Sequence, residues 1–148
     1  MSTINPKYGE DVYGWATHTA ALLRSKKMDE VDFDNIIEEI ESLGRSEKNG
    51  LTSSIRLILS HLLKWQYQPD KRTSSWKATI RTHRIQANFY LEDNPSLKSK
   101  IDDVLMKAYK RAVIEAANDT SIEDSVFPDE CPYSFEEIMS AEFYPEDQ

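Results

Sequence analysis

The chain has 148 residues, with 26 Asp and Glu against 18 Lys and Arg, for a formal net charge of −8. That length suits one domain around one core, and a hydrophobic fraction of 39% with 30% charged residues is an ordinary globular balance. No run of about 18 apolar residues occurs, which excludes a membrane-spanning helix. The lone Cys131 excludes an intrachain disulfide or a cysteine-based metal site.

Four glycines are few for a sheet-rich fold, whose turns need them, and the abundant Leu, Ile, Glu, Lys and Ala favour helices. The first ten residues lack the apolar core of a signal peptide, so the expected setting is the cytoplasm. Charge is segregated. Residues 29–41 hold seven acids and no Lys or Arg, and residues 115–148 hold eleven acids and again no Lys or Arg. Between positions 56 and 84 seven basic residues face the single Asp70. Such blocks either attract one another inside the fold or present an anion-binding face.

In chain order, residues 1–7 read as a loose leader ending near Pro6. A first helix follows to about Lys27, with Val12, Trp15, Ala16, Thr19, Leu22 and Leu23 as its stripe. Asp32 or Asp34 caps a second helix, with Phe33 packing back as a staple. Its first part sets Ile36, Ile37, Ile40 and Leu43 on one inward face, and its last part does the same with Leu51, Ile55, Ile58, Leu59, Leu62 and Trp65. The polar stretch 44–50, glycine at both ends, either separates two helices or is the wet middle of one. A glycine inside a helix costs only about 1 kcal/mol against alanine, and the flanking stripes stay in phase. One long helix, bent near Gly44, is therefore expected.

Pro69 stops it. Ser74 or Ser75 caps a third helix to about Glu92, whose stripe is Trp76, Ile80, His83, Ala87, Tyr90 and Leu91, with Lys77, Arg81 and Arg84 on the flank. Asn94 as cap and Pro95 at the first position open a fourth helix to about Asn118, burying Leu97, Ile101, Val104, Leu105, Ala108, Tyr109 and Ala112. An extended wrap anchored by Val126 and Phe127 leads to a capping box at Ser134 and Glu137 and a short last helix. Phe143 and Tyr144 are expected to fold back.

A short link between the second and third helices makes antiparallel packing the default. With the turn centred on Arg72, His61 and His83 fall at the same height, within about 5 Å, one helical turn. Each is expected to satisfy a hydrogen bond or stack in the core. A metal site would need a third ligand such as His18, or Glu38, Glu41 or Glu47, and the chain has no His-Glu-x-x-His motif. Cys131 has no basic neighbour in sequence to activate it as a nucleophile. The basic set Arg56, Lys64, Lys71, Arg72, Lys77, Arg81 and Arg84, interleaved with Trp65, Tyr67 and Trp76, is a candidate anion or nucleic-acid surface. The acidic tail could cover that surface as an intramolecular phosphate mimic.

The segments IESLGRSE at 40–47, HLLKWQYQP at 61–69, SWKATIR at 75–81, NPSL at 94–97 and FPDECPYS at 127–134 resemble, in this order, the domain of unknown function family 29. The resemblance implies a small, all-helical bacterial protein of a kind common in cyanobacteria, with residues 44–50 helical and no catalytic residues to transfer. His83 falls outside these motifs. The polar motif positions, with His83 added from the hairpin geometry, suggest a core network of Arg45, Glu47, His61, Trp65, Trp76 and His83.

The expected architecture is all-α: an antiparallel bundle of four main helices plus a short C-terminal helix in a single domain, with an acidic wrap at 119–148. The leading functional expectation is a non-enzymatic protein-interaction or regulatory module with a protein partner. The alternative is nucleic-acid or anion binding through residues 56–84. A metal-dependent enzyme using His61, His83 and His18 comes third. No cofactor and no membrane association are expected.

Overall fold

The structure, a computed structural model, describes residues 5–146. Residues 1–4 of the expected leader and the last two of the expected wrap lie outside them. The fold is all-α, with no strand among the described residues. Five α-helices follow one another: α1 (Val12–Arg24), α2 (Phe33–Tyr67), α3 (Ser74–Asp93), α4 (Ile101–Thr120) and the short α5 (Phe135–Met139). The chain divides into two compact units, one up to Gly44 and one from Arg45, although α2 itself continues through the boundary. Gly44 and Gly50 both lie inside it, as the phase of the two stripes predicts.

In the first unit, the Asp11 carboxylate opens α1 by accepting the Gly14 N–H at 2.9 Å. The helix ends at Arg24, three residues before the expected Lys27, because Lys26 takes the left-handed conformation (φ 59°) that an α-helix cannot accommodate. Only Trp15, Thr19 and Leu22 of α1 are buried, with the Tyr8 ring edge-on to Trp15 at 4.8 Å. The Tyr8 hydroxyl donates to the Glu39 carboxylate of α2.

The second unit holds the hydrophobic core. Leu51, Ile55, Ile58, Leu59, Leu62 and Leu63 of α2 pack with Ile80, Ala87 and Leu91 of α3 and with Val104, Ala108, Ala112 and Ala116 of α4. At Gly50 the Tyr90 ring comes so close that an added Cβ would run into its hydroxyl and ring carbons, so any larger residue must push the ring aside. Gly44 has open space around it. Thr73, not Ser74 or Ser75, caps α3 by accepting the Trp76 N–H at 3.1 Å. After Pro95 a 3₁₀ stretch to Lys100 precedes α4. Asn94 makes no cap bond there; its side-chain amide donates instead to Glu47 (3.0 Å) and to the Tyr90 carbonyl.

The segment after α4 wraps the core as expected. Phe127 is buried edge-on to Tyr67 at 4.8 Å, and the hydroxyls of Tyr109 and Tyr133 donate to the Pro128 carbonyl (2.5 Å) and the Gln66 side chain (2.6 Å). Val126, the second expected anchor, is exposed. Both bonds of the Ser134–Glu137 capping box form. Phe143 reaches Tyr133, and Tyr144 reaches Trp65 at 4.8 Å.

Candidate functional site

The seven basic residues of 56–84 do not form one continuous face. Arg56 pairs with Glu115 at 3.5 Å, and the nearly buried Lys64 with Asp119 at 2.9 Å, so acids of α4 neutralise the α2 end of the set. Arg72 folds over the Trp65 ring, 4.8 Å from its centroid, and donates from Nε to the Trp65 carbonyl at 2.9 Å. Lys71 stays exposed on the turn. The remaining three, Lys77, Arg81 and Arg84, line one side of a cavity of about 600 Å³, with Tyr144 and Met139 from the C-terminal segment opposite.

Arg84 corrects the expectation of a flank residue, being only 4% exposed. Its Nε donates to the Ile138 carbonyl and its Nη2 to the Phe143 carbonyl, both at 2.8 Å, with a longer contact to the Glu137 carbonyl. Burial holds its pKa below the usual arginine value. The tail thus docks on this guanidinium through main-chain oxygens and aromatic rings rather than through carboxylates. Tyr144 lies 5.5 Å from the Arg84 guanidinium and 5.4 Å from the Lys77 ammonium, within cation–π range of both.

His61 is half-buried, and its Nδ1 lies 2.9 Å from the Leu57 carbonyl, which can only accept, so this nitrogen carries the proton. Burial lowers its pKa, opposed by the Leu57 carbonyl, and His83 is near enough for its charge to lower it further. Nδ1 of His83 is buried with no hydrogen-bond partner. Glu47 and His61 do not meet, because 14 residues of helix separate them by about 21 Å. Arg45 is exposed, while Trp65 and Trp76 are half-buried, the latter 5.6 Å from the Lys64 ammonium. His18 lies in the other unit, lining a groove with Trp15 and Asp32. Among the described residues no group of three His, Cys, Asp or Glu side chains could hold a metal ion. Burial raises the Cys131 pKa, which makes its thiol a poor nucleophile.

In the first unit an apolar stripe faces solvent. Ile37, Ile40 and Leu43, expected to face inward, are exposed, Ile40 by 64% and Leu43 by 68%, and Phe33 is exposed beside them rather than stapled. α1 is only 13 residues long and buries three of them, which leaves this stripe without a full covering layer. Eight of the thirteen exposed large hydrophobics among the described residues lie before residue 45. The same stretch, residues 1–44, carries nine acids and four bases, a net charge of −5.

The family model of the domain of unknown function DUF29 matches residues 7–144, nearly the whole chain and both units. The chain belongs to this family. No curated protein matches it, and no solved structure does. DUF29 is a domain of unknown function, so membership brings no assigned activity. No helix of the described residues is long and apolar enough to cross a membrane.

Proposed function

We propose that this DUF29 protein is a non-enzymatic interaction module whose docking element is the first unit, within residues 12–44, and that its partner presents a cationic amphipathic helix. One observation carries the reading: the exposed apolar stripe of Phe33, Ile37, Ile40 and Leu43 lies in a stretch, residues 1–44, whose net charge is −5. Helix-in-groove recognition uses apolar anchors at this spacing, and the acids select the sign of the partner's flanks. A second copy docking by the same face would set acid against acid. Anionic lipid and nucleic-acid phosphate would be repelled for the same reason. The proposed setting is the bacterial cytoplasm, in keeping with a single free cysteine.

The test is fluorescence anisotropy of a labelled helical Leu/Lys peptide titrated with the full chain. Binding is expected, absent for a Leu/Glu peptide of the same pattern, and weakened about tenfold or more by Ile40→Glu or Leu43→Glu. Both substitutions add negative charge, so binding that persists in them would mark general adsorption to an acidic protein and end the proposal. A dimer that these substitutions dissociate would replace it with self-association, and capture by anionic vesicles would replace it with lipid.

A further inference from the structure

We propose that the cavity between α3 and the C-terminal segment is a binding site for a small amphiphilic anion, a carboxylate or phosphate head on a short apolar body. This goes beyond the docking reading and concerns a different surface. One wall is a single face of α3, since Lys77, Arg81, Arg84 and Ile85 recur at three- and four-residue steps. The facing wall is Met139 and Tyr144. At about 600 Å³ the space is in the ordinary range of small-molecule sites.

Its charge is the informative part. In a protein of net charge −8, no Asp or Glu lines this cavity, and none of its three cations makes an ion pair among the described residues. Four other cations of the same unit, Lys48, Arg56, Lys64 and Lys107, do. Three like charges gathered without a counter-charge repel one another, and an anionic head bound among them would relieve that repulsion. Arg84 is already fixed by its carbonyl bonds, so it brings its charge to the cavity with little rotamer freedom left to lose.

The apolar part of the wall sets the rest of the ligand. Ile85, Met139 and the Tyr144 ring offer surface that a bare inorganic anion would leave unused. A nucleic-acid strand fits less well. Its usual stacking platform would be an aromatic face, but Tyr144 already packs on Trp65 and sits beside two cations. An amphiphile with a single charged end uses both halves of the cavity.

Isothermal titration of the full chain with octanoate tests this, with acetate, inorganic phosphate, octylammonium and a short single-stranded oligonucleotide as comparisons. Octanoate is expected to bind at least about tenfold more tightly than acetate, phosphate or octylammonium. Arg81→Gln and Lys77→Gln, both at exposed positions that leave the Arg84 bonds intact, should each weaken octanoate about tenfold, the loss typical of one charge-assisted contact. Ile40→Glu, in the other unit, should leave it unchanged and so separates this site from the exposed stripe. Equal affinity for acetate or phosphate would reduce the site to a patch of charge and overturn the amphiphile. So would octanoate binding indifferent to Arg81→Gln, no octanoate binding at all, or a salt-sensitive response to the oligonucleotide alone.

Discussion

The two halves of α2 carry the same pattern with opposite outcomes. From Leu51 to Leu63 the apolar stripe is covered completely, by α3, α4 and the wrap. From Phe33 to Leu43 an apolar stripe in the same helical phase stays open to solvent except at the half-buried Ile36. Periodicity specifies that a helix has an apolar face; what covers that face depends on elements elsewhere in the chain. The second unit has two long helices to lay against its half, whereas in the first the buried part of α1 amounts to Trp15, Thr19 and Leu22.

The largest test of that contrast is a matched pair of truncations. Ile58→Ala should lower the stability of the second unit by about 2–5 kcal/mol through lost burial and a cavity, while Ile40→Ala should stay within about 0.5 kcal/mol. Urea unfolding monitored by circular dichroism reads both. An Ile40→Ala loss as large as that of Ile58→Ala would mean the first stripe is covered in solution.

The glycines sharpen the comparison at lower energy. Gly50→Ala gains helix propensity of about 1 kcal/mol but drives a methyl into Tyr90, an overpacking that costs about 1–3 kcal/mol, so thermal unfolding should shift down. Gly44→Ala meets nothing within 4 Å and should shift it up, by at most about 1 kcal/mol. A matching rise for Gly50→Ala would show that the Tyr90 ring moves aside freely.

The smallest effect is pH-dependent and confined to the covered half. Burial resists protonation of His61, helped by the Lys64 and His83 charges and opposed by the Leu57 carbonyl and Asp119. Its folded pKa lies below its unfolded value, so the unfolded chain takes up more protons. Stability of the second unit should therefore fall as the pH drops below about 6.5 and continue to fall down to the folded pKa. Segment-resolved hydrogen exchange should show that decline in residues 51–67, and His61→Gln should flatten it.

Local and periodic features were legible in advance. The capping box at Ser134, the stop at Pro69 and the continuity of α2 each depend on neighbours a few residues apart. What stayed hidden depends on distant partners. Arg84 looks like a flank residue until the carbonyls of residues 137, 138 and 143 arrive to bury it. Asn94 looks like a cap until Glu47, on another helix, claims its amide. The basic run 56–84 looks uniform until α4 neutralises two of its members and Trp65 takes a third, leaving Lys71 on the turn and three at the cavity.

The clamp on Arg84 also orders events during synthesis. A ribosome releases the chain from its N-terminus, so α2, α3 and α4 emerge before the carbonyls that Arg84 will use. Until residue 143 is out, Arg84 stays on the open flank of α3 with its donors in water, so the three helices can pack without stranding them. The C-terminal turn therefore arrives last and covers a guanidinium that is already in place.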